Sequence, residues 1–384
     1  MSDPQRIAII GGGVIGLSIA WQLSTRHDVT VYDPAPGRGA SFAAAGMLAP
    51  AGEAWHGEEA LLDAGLESVA GWPRFANELR DASGIDPWLA HDGTLLVGAT
   101  ADDAVEVERL ATLLAIHDIP AEKVTRSRLR DVEPALSTRV RLAVEVAGDL
   151  SVHNRRLLDA LLGALDAADV PMIPEAADPV YADDRVVGVR GRESRDLRAA
   201  DIAVVAAGSR LADIDGLPPE VAAACRPVKG QILRLRGPER LLHRTIRAYV
   251  DGTPVYAVPR RDGEIVLGAT SEELAHDSTV TAEAVHDLLR TGLAVVPGLR
   301  ECEFVESMTR HRPGTPDNLP LIGPVGIDGL IVAAGHFRGG VLLAPLTADT
   351  VAGYVDETPL PEVSLSLDPS RFEDMTRSTA EART

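Results

Sequence analysis

The sequence predicts an α/β protein: a Rossmann-like, dinucleotide-binding domain joined to a second, mainly antiparallel-sheet domain of α+β character. Three stretches carry this. RIAIIGGGVIGLSIAWQLSTRHDVTVYD (residues 6–33) reads as a strand, a glycine turn, a helix and a strand ending on an acid. Near the other end, GLIVAAGHFRGGVLLAPLTADTVAGYV repeats the theme of apolar strand, glycine turn and helix. Between them, AYVDGTPVYAVPRRDGEIVLGAT alternates around the turn RRDG, as strands of a sheet with one open face do.

Taken in order, residues 7–10 are a short apolar run ended by three glycines, the pattern of a buried parallel strand. Residues 14–23 have helical apolar spacing, and 29–32 form a second strand stopped by Asp33-Pro34. A loop over 37–50 precedes helices within 57–83, a strand over 93–100 and a helix over 101–117. SVHNRRLLDALLGALDAA (151–168) opens on a capping serine and continues as a helix. PVYADDRVVGV is two strands around a polar turn, and DIAVVAAGSR is one more buried strand. TAEAVHDLLR is a helix that Thr-Gly stops, and the last helix starts near Val341. These elements assign 1–85, 140–215 and 305–365 to the nucleotide-binding domain, and 86–139 and 216–304 to the second domain. The polar residues 366–384 are expected to be poorly ordered.

The 384 residues carry a net charge of -20, which argues against a nucleic acid or an anionic membrane surface as partner, since both need a positive face. No run reaches ~18 apolar residues, so no membrane span is expected. Cys225 and Cys302 are the only cysteines and are too far apart for a disulfide framework or a metal site. MSDPQ leads straight into the first strand without a signal sequence, so a reducing cytoplasm is the default.

Gly11, Gly13 and Gly16 match G-x-G-x-x-G: one for the tight turn, one for close approach of a pyrophosphate, one for strand–helix packing. The pyrophosphate then sits on a helix N-terminus, where free N–H groups point at it. Asp33 ends the second strand and can accept a ribose hydroxyl; its charge disfavours a 2′-phosphate. NAD and FAD both remain open on these residues alone. The second glycine unit, with Gly335, Gly339 and Gly340 around His336, Phe337 and Arg338, favours a flavin. A helix N-terminus and Arg338 would stabilise the negative charge of a reduced flavin ring, and an NAD enzyme needs no such unit.

At this point IIGGGVIG, SFAAAGMLAP, VVAAG, PVYAVPRRDGEIVLGAT, RPGTPDNLPLIG and AAGHFRGGVLLAP together resemble the D-amino-acid oxidase superfamily of FAD enzymes, and within it the glycine oxidases of thiamine biosynthesis. The resemblance runs from residue 6 to about 355. It implies non-covalent FAD, with the pyrophosphate on Gly11, Gly13, Val14, Ile15 and Gly16 and the adenosine ribose on Asp33. It implies that Ala40, Ser41, Ala45, Gly46 and Met47 line the flavin and phosphates, that Gly208 adjoins the cofactor, and that Val180 offers main-chain contacts at the adenine end. His336, Phe337, Arg338, Gly339, Gly340, Val341 and Leu342 would wrap the flavin ring. Arg312 matches the arginine that grips the substrate carboxylate, Tyr256 an active-site tyrosine and Arg338 a second active-site arginine; Met47 would touch substrate.

Such a site suits amino-acid oxidation. A guanidinium grips a carboxylate through two parallel hydrogen bonds, and the cofactor does the electronic work once the substrate is oriented. No general base is required if the amine arrives neutral, and none is assigned. The expected reaction takes glycine, a small D-amino acid or sarcosine to the imine and 2-oxo acid, with O2 reduced to hydrogen peroxide. A dehydrogenase of the same fold with another electron acceptor is the alternative. Pro254 and Ser271 stand where the family often has His and Met, which leaves the preferred substrate open. Sarcosine oxidases often tether flavin through a cysteine before TPD; here the stretch is Arg310–His311–Arg312–Pro313. The resemblance leans towards homo-oligomers.

Overall fold

A computed structural model describes residues 4–372. The first strand, Arg6–Ile10, is apolar and buried from its second residue on, and it lies inside a six-stranded sheet. The sheet order is Leu321–Pro324, Leu330–Ala334, Ile202–Val205, Arg6–Ile10, Asp28–Tyr32, Met172–Ile173. All pairs are parallel except the edge pair Leu321–Pro324 with Leu330–Ala334. Helices Val14–Ser24, Asn154–Ala167 and Ala344–Asp356 cover one face, and helix Glu59–Ser83 packs outside them. The three-stranded sheet Ala177–Ala182, Arg185–Gly191 and Leu197–Ala199 lies on the other side of the strand Ile202–Val205.

The second sheet has eight strands, in the order Glu303–Gly314, Arg226–Arg236, Glu264–Gly268, Thr253–Pro259, Thr245–Val250, Thr94–Gly98, Leu142–Val146, Glu122–Lys123. Only Thr245–Val250 with Thr94–Gly98 is parallel. Alternation sorts its residues to two faces. Leu233, Ile246, Ala257, Ile265 and Leu267 point back into a core closed by helix Ala282–Val295. Ile232, Val258, Val266 and Met308 point forward, onto Ala43 and Ala45 from the nucleotide-binding part. The forward face of this sheet is therefore one wall of the site.

Several boundaries differ from the sequence expectation. Leu142–Val146 and Glu303–Gly314 belong to the eight-stranded sheet, although 140–215 and 305–365 were expected to lie with the nucleotide-binding part. Ser151 ends a two-residue strand against Met47–Leu48, and His153 caps the next helix instead, its Nδ1 accepting from the Arg156 N–H at 3.3 Å. Helix Ala282–Val295 runs through Thr291-Gly292. A side chain at 292 would press within 2.9 Å of Leu267, so the glycine lets the helix sit close on the sheet rather than ending it. The last helix starts at Ala344, three residues late, because Phe337–Gly339 forms a separate 3₁₀ turn. Within 366–372, Leu367 and Phe372 are buried and Arg371 bonds Asp317 at 2.8 Å. The rest of the expected polar tail lies outside the described residues.

Candidate functional site

The glycine turn is shaped by close approach. Gly11 has φ +116°, a left-handed conformation, and a side chain there would overlap the Ala206 carbonyl. A side chain at Gly16 would overlap the Gly11 carbonyl oxygen. At Gly13 the nearest atom to a side chain would be Ser41 Oγ, 3.5 Å away, so this glycine leaves open space. Gly13 is also the N-cap of helix Val14–Ser24 and offers no side-chain cap. Ser41 Oγ, from the adjoining loop, accepts from the Val14 N–H at 3.0 Å. Asp33 reaches back to the turn: one carboxylate oxygen accepts from the Gly12 N–H at 2.6 Å, the other from the Ala35 N–H at 2.7 Å. Each oxygen keeps a lone pair for a further donor.

The loop over 40–47 runs from this turn to the second sheet and is held from below. Asn154 donates to the carbonyls of Ser41 and Phe42, at 2.8 and 3.0 Å. Buried Arg234 donates to Asn154 Oδ1 at 3.1 Å and pairs with Glu264. Buried Arg260 donates to the Ala45 carbonyl. A side chain at Gly46 would overlap the Val152 carbonyl. The small residues Ala40, Ala45 and Gly46 thus sit on a fixed track, with Ala40, Ser41 and Met47 partly exposed on it. Nothing in the sequence marked Asn154, Arg234 or Arg260, because their partners lie far away along the chain.

Tyr256 and Arg312 both belong to the forward face of the eight-stranded sheet, and the Arg312 charge acts on the Tyr256 hydroxyl. Tyr256 stands opposite Gly268, and a side chain at 268 would overlap its hydroxyl. Arg312 leans over Gly230: a side chain there would come 2.7 Å from the guanidinium carbon. Its Nη1 donates to the Thr270 carbonyl at 3.0 Å, and it pairs with no carboxylate among the described residues. Burial raises the Tyr256 pKa above that of an ordinary tyrosine, a shift that Arg312 opposes, so the hydroxyl keeps its proton at neutral pH. A half-buried guanidinium without a counter-ion, beside a neutral hydroxyl, is an anion site in waiting.

The glycine unit near the C-terminal end closes the opposite side. The Leu342 carbonyl accepts from Ser68 at 2.6 Å and from the Trp72 indole at 2.8 Å, which pins the turn to helix Glu59–Ser83. His336 faces inward, bonded to Thr347 at 2.9 Å; burial pushes its pKa down to about 3, so it is neutral. Phe337 has φ +45°, and Gly339, Gly340 and Val341 continue the turn beside it. Arg338 pairs with Glu58 at 2.7 Å, and Asn318 donates to the same carboxylate at 2.7 Å. Arg338, expected beside a flavin ring, carries its charge in this pair with Glu58. Glu53, on the same loop as Glu58, pairs with Arg247 at 2.7 Å, and Arg247 stands directly opposite Tyr256. Glu53, Glu58 and Arg247 escaped the sequence, whose only hint was the acidic loop GEAWHGEE. Gly208 follows the strand Ile202–Val205 with φ +57° and open space around it. Val180 lies apart, in the three-stranded sheet opposite Gly188.

The family model described as DAO, FAD dependent oxidoreductase, matches residues 6–354, nearly the whole described chain. The chain belongs to the FAD-dependent oxidoreductase family. A relative named glycine oxidase from Geobacillus kaustophilus is 33% identical over 93% of this chain and 94% of its own length. A relative named bifunctional protein ThiO/ThiG from Trichormus variabilis is 30% identical over 97% of this chain, which spans only 56% of that protein. The crystal structure of glycine oxidase from Geobacillus kaustophilus superposes with TM-score 0.84 at 32% identity, covering 95% of this chain and 98% of that one.

The residues present fit the cofactor of this FAD-dependent family. Gly13 has no side chain to cap this helix N-terminus, and only Ser41 Oγ lies within contact distance of where one would be, which suits the approach of a pyrophosphate. Asp33 has spare acceptor capacity at the strand end where a ribose belongs. The small-residue track over 40–47 and the turn over 336–342 are both fixed from behind, leaving their near sides for a flat ring. At such a cofactor the protein's part is to bind and orient.

Proposed function

We propose that the protein is an FAD-dependent oxidase of glycine, with similarly small D-amino acids and sarcosine as further substrates. With glycine, one O2 and one water would be consumed, and glyoxylate, ammonia and hydrogen peroxide formed. The observation that carries this reading is the Arg312 guanidinium seated over Gly230 without a carboxylate partner among the described residues, its charge acting on the Tyr256 hydroxyl. It offers a carboxylate two parallel hydrogen bonds, with a third from tyrosine. Bound FAD supplies the acceptor for the hydride that leaves the substrate Cα. Gly11, Gly13, Val14, Ile15, Gly16, Asp33, Ala40 and Ser41 hold its nucleotide half; Ala45, Gly46, Met47 and the turn over 336–342 hold its ring. Met47 borders the substrate, Gly208 adjoins the cofactor, and Val180 serves the adenine end.

Arg338, paired with Glu58, shapes the flavin side of the pocket rather than supplying a free charge. The names of the relatives support glycine as substrate and a role in supplying the thiazole of thiamine. Two free cysteines are in keeping with a cytoplasmic location. No helix among the described residues is long and apolar enough to cross a membrane. An oxygen electrode with glycine, sarcosine and D-alanine tests the proposal. Peroxide formed in step with oxygen uptake supports it. Substrate-reduced flavin that air does not reoxidise would make the protein a dehydrogenase instead.

A further inference from the structure

The pocket wall holds an ion pair that substrate binding as proposed above does not use. Arg247 and Tyr256 face each other across antiparallel strands, so both side chains rise from the same face as close neighbours. On its other side Arg247 is opposite Leu96, which is buried. Glu53 reaches down from the loop over 51–58 to meet Arg247 at 2.7 Å, and both side chains are more than four-fifths buried. Tyr256 lies within reach of the charges of Arg312, Glu53 and Arg247 alike. Of the guanidinium groups whose charge acts on Tyr256, Arg312 pairs with no carboxylate among the described residues, Arg247 is neutralised by Glu53 and Arg234 by Glu264, and buried Arg260 is held behind the loop over 40–47 by the Ala45 carbonyl. Arg260 is buried, so Arg312 is the guanidinium among these that is left for a substrate carboxylate.

We propose that the Arg247–Glu53 pair is the specificity-determining element of the site, closing the Tyr256 side of the pocket to substrates with a second carboxylate. The proposal rests on Arg312 as the carboxylate anchor. An amino acid with one carboxylate leaves the pair intact. A dicarboxylate must place its second charge beside Glu53, where like charges in a half-buried setting repel. Removing the Glu53 charge while keeping its shape turns Arg247 into a second free anchor.

The test measures binding of acetate and malonate to the FAD-loaded protein, through the change each causes in the flavin visible spectrum. In Glu53→Gln the preference for malonate over acetate is expected to rise at least tenfold above wild type, the scale of one charge-assisted hydrogen bond. Adding Arg247→Met to Glu53→Gln should return that ratio to within threefold of wild type. Arg247→Met alone leaves Glu53 unpaired, so its ratio should fall below wild type; this variant decides the matter if Glu53→Gln does not fold. D-Aspartate turnover relative to glycine should follow the same order. A malonate ratio unmoved in Glu53→Gln, or raised in Arg247→Met, overturns the proposal while acetate binding still supports Arg312. If acetate does not perturb wild-type flavin, the Arg312 anchor itself fails, and the proposal with it.

Discussion

The guanidinium of Arg312 occupies the space that a side chain at Gly230 would fill. The two residues sit on neighbouring strands, Arg226–Arg236 and Glu303–Gly314, and the missing side chain lets the arginine lie over the sheet towards Tyr256. Gly230→Ala should therefore displace Arg312 without touching the cofactor track. The expected result is a rise of about tenfold or more in KM for glycine with flavin content unchanged. Steady-state kinetics on the holoenzyme check it; an unchanged KM would show that the arginine does not need this seat.

The Tyr256 hydroxyl lies over Gly268 and, on the proposed function, would give the substrate one neutral hydrogen bond. Tyr256→Phe should cost about 0.5–1.5 kcal/mol of transition-state stabilisation, roughly a threefold to tenfold loss in kcat/KM. Its loss should be far smaller than that of Arg312→Ala, because the arginine bond is charge-assisted and bidentate.

Gly11→Ala forces a side chain into the Ala206 carbonyl at a left-handed backbone position. The turn must shift, and with it the N–H groups that face the pyrophosphate. Purified Gly11→Ala should carry little flavin, measured by the visible absorbance per protein absorbance. In the wild type the flavin should be non-covalent, so acid precipitation leaves the yellow colour in the supernatant. Colour in the pellet would contradict this.

Asp149 gives a pH dependence. It is buried behind the site loop, with one oxygen accepting from the Gly52 N–H at 3.1 Å and the other without a hydrogen-bond partner. Burial raises its pKa from 3.8 to about 7. Between these values the native state holds a proton that the unfolded chain has lost, so stability falls as pH rises through this window. The contribution is fully present below about 4 and gone above about 7. Thermal unfolding should show a lower Tm at pH 8 than at pH 5.5, and Asp149→Asn should lessen that slope, with Glu133, which burial also raises to about 7, keeping part of it. An equal slope in the variant would assign the effect elsewhere.

Much of the frame is legible in the sequence because it depends on local pattern. The buried run 7–10, the glycine turn and Asp33 fall where period and turn chemistry put them. The RRDG turn closes the hairpin of Thr253–Pro259 with Glu264–Gly268, with Gly263 at φ +82°. What escapes depends on distant neighbours. Gly292 stops a helix on local rules, yet the close sheet beneath it keeps the helix going. Arg338 looks free until Glu58 arrives from another part of the chain. The seats that Gly230 and Gly268 make for Arg312 and Tyr256 carry no sequence signal, since a glycine in a strand reads only as a weak point.

On the proposed function, Arg312 orients a small amino acid for oxidation at the flavin. This is tested most directly by mixing the holoenzyme with glycine without oxygen and following the flavin visible absorbance. Wild type should bleach fully, and Arg312→Ala with the same flavin content at least a hundredfold more slowly at equal glycine, about 2.7 kcal/mol. Bleaching at the wild-type rate in Arg312→Ala, or none in wild type with glycine, sarcosine or D-alanine, would contradict it.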